Sequence, residues 1–153
     1  YVVHLPSKLN GKASERNRQK VVDAITASTD SILKVRKDAK IIILGDFNEG
    51  PESSLLRQNF QGFTNLALRY QGKHSGSYKY QGEWETIDQI LISNALTLPE
   101  TKGLRYDDVK VLNLPFLLEK DEQYGGEKPK RTFVGYRYNG GFSDHLPVLL
   151  KLK

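Results

Sequence analysis

An acid and an amide stand two residues apart in the segment 41–48, which reads IIILGDFN. A buried strand ending at Gly45 would deliver both side chains into an exposed loop, where α/β proteins hold their ligands. An ionised Asp46 can orient or deprotonate a water molecule, and it can hold a hard cation such as Mg²⁺. The Asn48 amide can donate a hydrogen bond to a phosphate oxygen. A plain turn after a strand uses the same residues, so the segment alone indicates either a structural turn or a catalytic corner.

A second acid lies beside a histidine in the segment 143–148, which reads SDHLPV and precedes a final apolar strand. At the entrance of a strand both side chains can reach one cleft. Asp144 could ligate a metal, and His145 could contact a phosphate or act as a general acid or base. A Ser/Asp turn with an incidental histidine is the structural alternative.

Two further ionisable side chains, Asp88 and His4, stand in or at the end of predicted strands. Asp88 follows Ile87 in a strand that should be buried, where a carboxylate is costly unless it is paired. Its partner can be a structural Lys or Arg, or a histidine whose tautomer and ring orientation the carboxylate fixes. His4 ends a strand of Tyr and Val, where a lone histidine is more often structural than catalytic.

Aromatic and basic residues alternate in the segment that contains Tyr78, Lys79, Tyr80 and Trp84. Proteins that bind single-stranded nucleic acid combine the same residue types. Alternation within a strand explains the pattern equally well. His74 lies in a loop rich in Gly and Lys and is predicted to be solvated surface.

The composition bounds the class of protein. With 153 residues and a hydrophobic fraction of 38%, the chain suits one compact domain with a core. The absence of cysteine excludes a disulfide, a thiolate metal site and a cysteine nucleophile. No apolar run is long enough to span a membrane, and the first residues do not form a signal peptide. A net charge of +5 is compatible with phosphate-bearing partners but is also ordinary.

The elements that must position these residues follow from periodicity and turn signals. A helix is predicted from Ser14, with Ser14 as N-cap, and a second helix starts within 51–54. The strand over 86–93 lacks clean alternation, which predicts a central place in a sheet. The segment 114–138 is rich in charge and Gly and is predicted to be a long excursion outside the core. The remaining strands are predicted over 1–5, 39–44, 77–80, 108–112 and 146–152, and the apolar helix face comprises Val21, Val22, Ile25, Ile32 and Leu33.

Taken together and in order, the motifs name a family. His4 after an apolar strand, GDFN at 45–48, IDQI at 87–90 and SDHLPV at 143–148 resemble the endonuclease/exonuclease/phosphatase superfamily. These are metal-dependent phosphohydrolases related to pancreatic-type deoxyribonuclease. The resemblance implies an α/β fold that is part of a four-layered α/β sandwich, with two mixed β-sheets flanked by helices. It also implies that residues 1–153 are the C-terminal half of a single domain whose N-terminal half is missing.

The resemblance implies a role for each matching residue. Asp46 would orient and activate the attacking water, and Asn48 would bind the scissile phosphate. His4 and His145 would contact phosphate oxygens as catalytic residues, and Asp88 would support His145.

The metal site implied by the resemblance is shared with the missing half. Asp144 and Asp46 would support Mg²⁺, with Mn²⁺ or Ca²⁺ as alternatives, and the principal Glu ligand would come from the N-terminal half. The implied function is Mg²⁺-dependent hydrolysis of phosphate esters by a phosphodiesterase or nuclease. The alternatives are a phosphomonoesterase acting on phosphorylated sugars or lipids, and a non-catalytic phosphate-binding module.

The implied partners are a phosphate-ester substrate, nucleic acid among the options, and the missing N-terminal half itself. The chain also looks similar to secreted or periplasmic hydrolases of gut bacteria. It begins inside a predicted strand and contains no Met, which predicts a processed or partial product.

Overall fold

The computed structural model describes residues 1–71, 75–98 and 102–153, and it has a mixed α/β architecture with several small sheets and two α-helices in those ranges. His74 lies outside the described residues. In chain order the elements are β1 (Val2–His4), α1 (Lys12–Val35), β2 (Ile42–Asp46), α2 (Ser54–Asn59), β3 (Phe63–Asn65), β4 (Tyr78–Tyr80), β5 (Glu83–Glu85), β6 (Asp88–Ser93), β7 (Tyr106–Val111), β8 (Leu118–Lys120), β9 (Glu127–Pro129), β10 (Phe133–Val134), β11 (Arg137–Tyr138) and β12 (Val148–Leu152).

A four-stranded sheet in the order β1-β2-β6-β3 forms the centre of the fold. β1 runs parallel to β2, whereas β6 is antiparallel to both of its neighbours, β2 and β3. Every residue of β6 after Asp88 is buried, as expected of a strand covered on both faces. The predicted central place of this strand is confirmed.

The two helices cover one face of the central sheet. Val22 and Ile25 of α1 and Leu56 of α2 belong to the same buried cluster as Ile43 of β2 and Leu91 of β6. The predicted N-cap of the first helix is wrong by three residues, because Gly11 is the N-cap and Ser14 lies buried in the first turn.

The predicted apolar face of α1 is only partly correct. Val22 and Ile25 are buried, but Val21 and Ile32 are exposed. Periodicity of apolar residues misses the true face because polar side chains with partners of their own occupy part of it. The buried positions of the helix are Ser14, Arg18, Val22, Ile25 and Thr29.

A second, two-stranded sheet of β7 and β12 covers the other face. Val109 of β7 is buried in a cluster with Ile90 and Ile92 of β6, and Leu150 of β12 packs against it. The described residues thus form three layers, one of helices and two of sheets. A fourth layer stays a prediction.

The segment 114–138 lies outside the central sheet, as predicted, but it is not without structure. It contains two hairpins, β8–β9 and β10–β11. Elsewhere the predicted strand ends shift by a few residues. The strand predicted over 39–44 runs from Ile42 through Gly45 to Asp46, and the strand predicted from residue 86 begins at Asp88.

None of the helices in the described ranges combines the length and the apolar character that a membrane crossing requires.

Candidate active site

Strand register brings three of the predicted site residues into one row. His4 of β1 pairs with Asp46 of β2, and Asp46 pairs in turn with Asp88 of β6. Directly paired residues on neighbouring strands have their Cβ atoms about 4.5–5.5 Å apart. The row therefore crosses three adjacent strands at one end of these strands, and backbone pairing fixes its order.

A glycine is required next to this row. Gly45 has φ 137°, a region that L side chains rarely adopt, and a Cβ at this position would collide with the Val3 carbonyl oxygen. Without a side chain at Gly45, β1 can lie close enough to β2 to place His4 beside Asp46.

Asn48 closes the turn that follows β2. Its φ of 49° is left-handed, a conformation that Asn tolerates better than most residues. The Asn48 backbone N–H donates to Asp46 Oδ1 at 2.7 Å. The side-chain Nδ2 donates to the Leu5 carbonyl oxygen at 2.9 Å and to Asp46 Oδ2 at 3.2 Å. Asn48 thus ties the Asp46 carboxylate to the end of β1, and a phosphate could take over the longer of its two side-chain bonds.

His145 reaches the row from the segment that precedes β12. The Leu146 N–H donates to the Ser77 carbonyl oxygen at 2.6 Å, and His145 forms an isolated β-bridge with Tyr78. These backbone contacts hold the histidine beside β4. The Tyr78 ring lies against the imidazole with a centroid separation of 4.9 Å.

The two ring nitrogens of His145 face different carboxylates. Nδ1 lies 2.7 Å from Asp88 Oδ2, and Nε2 lies 3.9 Å from Asp46 Oδ2. The same Asp46 oxygen lies 3.5 Å from Nε2 of His4, whose side chain is largely exposed. The Asp46 carboxylate is therefore placed between two imidazoles, with Asp88 behind one of them.

The pKa of each of the two central groups, Asp46 and His145, is raised, for different reasons. The pKa of Asp46 lies above its ordinary value, mainly because burial penalises the carboxylate and because Asp88 adds negative charge, although the Asn48 N–H and the two histidines act in the other direction. Burial lowers the pKa of His145, but the hydrogen bond to Asp88 and the charges of three carboxylates outweigh it, so the net pKa is raised. A raised pKa suits Asp46 to accept a proton and suits His145 to act as a cationic hydrogen-bond donor.

Asp144 lines the same cleft as Asp46 and His145, but its carboxylate is directed toward the cation of Arg131. The two charged groups are 4.0 Å apart, and half of the Asp144 side chain is exposed. The cleft has a volume of about 520 Å³ and is bordered by His4, Asp46, Asn48, Tyr78, Tyr80, Glu85, Asp144 and His145.

The described residues fit a divalent metal only in part. Asp46 and Asp144 offer the hard oxygen donors that Mg²⁺ prefers, and both border the cleft. In the three described ranges, however, no group of three or more acidic, histidine or cysteine side chains has the geometry of a metal site. These residues do not complete an octahedral Mg²⁺ site.

An ion pair that the sequence analysis missed connects α1 to the loops that border the cleft. Arg18 Nε of α1 lies 2.9 Å from Glu49 Oε1, just after the Asn48 turn. Arg18 Nη1 also donates to the Pro6 carbonyl oxygen at 3.1 Å, just after His4. One helix residue thus links both loops of the site. Its place on the buried face, four residues from Ser14 and from Val22, is the signal that could have identified it.

Gln89 performs a similar task from β6. It has no exposed surface. Its Nε2 donates to the carbonyl oxygens of Glu49 and Thr86 at 2.7 and 2.8 Å, and its Oε1 accepts from Asn65 Nδ2 at 3.0 Å. The amide in the IDQI motif therefore joins the turn after β2 to the sheet. A fully polar side chain inside an apolar strand was the available signal.

The aromatic and basic segment around Tyr78 divides between two roles. Tyr78 and Tyr80 border the cleft. Lys79 is buried on the opposite side, where its Nζ lies 3.0 Å from Asp121 Oδ2 and donates to the Gly125 carbonyl oxygen at 2.8 Å. Of the two interpretations of this segment, alternation within a strand therefore describes Lys79, because the ammonium group faces a structural partner.

The whole chain, residues 1–153, matches the model of a family described as the Endonuclease/Exonuclease/phosphatase family. No match was found among curated protein sequences.

Several solved structures share the fold. TDP2 of D. rerio in complex with a single-strand DNA product is 17% identical, with a TM-score of 0.56 over 99% of this chain and 54% of that one. The mannosyl-6-phosphatase of Bacteroides thetaiotaomicron is 15% identical, with a TM-score of 0.53 over 90% of this chain and 46% of that one. At these identities the likeness shows the fold alone. The chain spans about half the length of the structures it matches.

Proposed function

Because the chain belongs to the endonuclease/exonuclease/phosphatase family, whose members hydrolyse phosphate esters, we propose that it carries half of the active site of a Mg²⁺-dependent phosphodiesterase or nuclease. The observation that supports this proposal is the placement of Asp46 Oδ2 3.5 Å from His4 Nε2 and 3.9 Å from His145 Nε2, with Asp88 bonded to the far nitrogen of His145. The acid proposed to activate water and the two histidines proposed to donate hydrogen bonds to the phosphate therefore border one cleft.

Hydrolysis of a phosphodiester needs positive or hydrogen-bond-donating groups beside the phosphate, because the anionic ester oxygens repel an attacking hydroxide. In this proposal Asp46 accepts the proton of the attacking water, which its raised pKa favours. His145, with its pKa raised, carries a proton on Nε2 and donates it toward a phosphate oxygen. Asp88 accepts a hydrogen bond from the Nδ1–H group and so fixes the orientation of the ring. His4 contacts a second phosphate oxygen, and Asn48 contacts the scissile phosphate through its amide.

The metal belongs to the proposal as well. When bound, Mg²⁺ would neutralise charge that develops on the phosphoryl group. Asp46 and Asp144 would contribute oxygen ligands from this chain. We propose that the remaining ligands, a glutamate among them, come from polypeptide outside residues 1–153. Support comes from the partial fit of the described donors and from the half-length coverage of the matched structures.

The leading substrate class is a phosphodiester. TDP2 of D. rerio is described in complex with a single-strand DNA product, which supports a nucleic-acid substrate for this chain too. A phosphomonoesterase is the second candidate, because a mannosyl-6-phosphatase shares the fold to a similar extent.

The test measures turnover of the native protein in which this chain occurs. Bis-p-nitrophenyl phosphate should be hydrolysed with Mg²⁺, and EDTA should stop the reaction until Mg²⁺ is restored. Asp46→Ala and His145→Ala should each abolish most of this activity. Undiminished turnover in both variants would contradict the assigned roles.

Substrate class is decided by rates measured side by side. The proposed diesterase should hydrolyse a DNA oligonucleotide faster than mannose 6-phosphate, an inositol phosphate or a phospholipid. A higher rate on the phosphomonoesters would favour the second candidate. Phosphate binding without any turnover would favour a non-catalytic module.

A further inference from the structure

An exposed surface of aromatic and basic residues borders the proposed active site, and the hydrolytic roles above do not use it. We call residues 130–142 the aromatic hairpin, since β10 and β11 form its centre. In these residues the sequence has three cations, four aromatic rings and no acid. All four aromatic residues are at least 55% exposed, and Tyr136 at the turn is completely exposed. The aromatic residues are Phe133, Tyr136, Tyr138 and Phe142.

The aromatic hairpin is joined firmly to the segment that carries His145. Thr132 Oγ1 donates to the Phe142 carbonyl oxygen at 2.7 Å, and the Phe142 N–H donates to the Lys130 carbonyl oxygen at 2.8 Å. Phe142 stands three residues before His145 in the sequence. These two hydrogen bonds join the base of the aromatic hairpin to the chain that leads to His145.

Arg131 makes a second connection to the cleft. Its guanidinium lies 5.9 Å from the centroid of the Tyr78 ring and 4.0 Å from Asp144 Oδ2. Tyr78 and Asp144 both border the cleft. The positive charge at the base of the aromatic hairpin therefore lies beside the cleft.

The ring geometry leaves aromatic faces available. Phe133 and Tyr138 meet edge to face, with centroids 5.5 Å apart and an interplanar angle of 64°. Such a pair cannot cover both faces of either ring. Exposed ring faces with cations between them are what unpaired bases and their phosphates bind, because a base has a π-face and the backbone is anionic.

The composition of the aromatic hairpin argues against a lipid surface. Insertion into a bilayer gains its energy from buried hydrocarbon. Among residues 130–142 only Val134 has an aliphatic side chain, whereas Lys130, Arg131 and Arg137 are cationic. The charge complements a polyanion, and the rings match bases better than acyl chains.

We propose that the aromatic hairpin binds single-stranded nucleic acid by stacking unpaired bases beside the phosphodiester held in the cleft. A duplex would fit poorly, because its bases are already stacked on each other and do not present their faces. The inference rests on the proposed function for its position relative to the scissile bond, and it names the substrate as single-stranded nucleic acid.

The experiment measures the affinity of the native protein for a fluorescein-labelled oligo(dT) by anisotropy, with EDTA present so that binding does not depend on turnover. Tyr136→Ala should weaken binding about fivefold or more, the effect expected for loss of one stacked base. Tyr136→Phe should keep the native affinity because the ring is retained. Since Tyr136 is fully exposed, neither change should alter the melting temperature.

Charge is tested by a matched pair of variants. Arg137→Gln should weaken oligo(dT) binding and reduce its salt dependence, since one phosphate contact is lost. Arg16→Gln, the same change on the exposed side of α1, should leave both unchanged. Equal losses in the two variants would overturn the inference, because they would reveal only a non-specific effect of net charge.

Two comparisons distinguish the alternatives. The inference would be overturned if the native protein bound a duplex as tightly as oligo(dT). It would also be overturned if Tyr136→Ala lost binding to phosphatidylserine vesicles but kept its affinity for oligo(dT). Turnover of bis-p-nitrophenyl phosphate is followed in parallel and should be unchanged in all hairpin variants. A native protein that binds oligo(dT) through Tyr136 but lacks turnover would support the inference while contradicting the proposed function.

Discussion

In both the Lys79–Asp121 pair and the cleft around Asp46, a carboxylate lies beside a cationic or basic side chain, but its pKa is lowered in the pair and raised in the cleft. Asp121 lies 3.0 Å from Lys79 Nζ, and it also accepts the N–H groups of Gln123 and Tyr124. Its pKa is lowered, chiefly by the hydrogen bond from Lys79. Asp46 is 3.5 Å or more from both imidazole nitrogens that face it, and its pKa is raised.

The difference separates a structural polar group from the carboxylate that is proposed to react. Asp121 has its charge compensated and its oxygens bonded, so little capacity is left for a ligand. Asp46 is partly buried next to another carboxylate, without a short ion pair, and it borders a cleft. Such a group destabilises the fold slightly but is ready to accept a proton or bind a cation. The local state of the carboxylate, more than its residue type, marks the site.

The largest expected effect is on turnover when the reactive cluster is changed. Asp46→Asn and His145→Ala should each reduce kcat in the native protein by roughly 10²–10⁴-fold, the range for loss of a general acid or base. Steady-state hydrolysis of bis-p-nitrophenyl phosphate measures this. Far-UV circular dichroism should match the native spectrum, and a loss of structure in both variants would remove the support they give to a catalytic role.

Breaking the structural pair should have the converse effect. Lys79→Met leaves the buried Asp121 with only the more distant ammonium group of Lys128, 4.0 Å from Oδ1, which should lower the melting temperature by several degrees. Turnover measured well below that temperature should be retained. The double variant Lys79→Met/Asp121→Asn should recover part of the lost stability, because it removes both charges while the Asn oxygen still accepts the N–H groups of Gln123 and Tyr124. If Lys79→Met alone abolished turnover in the folded protein, the separation between the two clusters would be wrong.

The two carboxylates should also respond oppositely to pH. The folded pKa of Asp121 is below the ordinary 3.8, so its ionised form adds stability that is present above 3.8 and is lost as pH falls through the lower folded value. The folded pKa of Asp46 is above 3.8, so stability is lost as pH rises from 3.8 through the raised value.

Urea unfolding at a series of pH values checks these signs. At neutral pH Asp121→Asn should be less stable than the native protein, and Asp46→Asn should be more stable. Both differences should shrink as the pH falls, because protonation removes the charge from the native carboxylates. Differences of the same sign at neutral pH would contradict the contrast between the two groups.

The smallest effect is expected from the loss of one hydrogen bond that holds the backbone of Asp88. The Tyr70 hydroxyl donates to the Asp88 carbonyl oxygen at 2.7 Å, and burial raises the pKa of Tyr70, so the phenol stays a donor. Tyr70→Phe should lower the free energy of unfolding by about 0.5–1.5 kcal/mol, the usual net value of one hydrogen bond. Tyr136→Phe, with a fully exposed hydroxyl, is the matched control and should have no measurable effect.

Local patterns in the sequence were sufficient for the central strands and the order of the motifs. Ile90, Leu91 and Ile92 predicted a strand buried on both faces, because an apolar run of that length has no solvent side. The small strands β3, β5 and β8 to β11 were not predicted, since two or three residues give no measurable period; β1 and β4 are as short and were predicted from their β-branched and aromatic residues.

By itself the sequence determined which residue types could do chemistry: Asp46, Asn48 and His145 in short motifs that a linear reading can find. Only the tertiary structure decided which charges are compensated by a close partner. Lys79 and Arg18 lie far along the chain from their partners Asp121 and Glu49, and both pairs are buried. A pKa depends on burial and on the distance to other charges, and packing sets both quantities between segments that are remote in sequence.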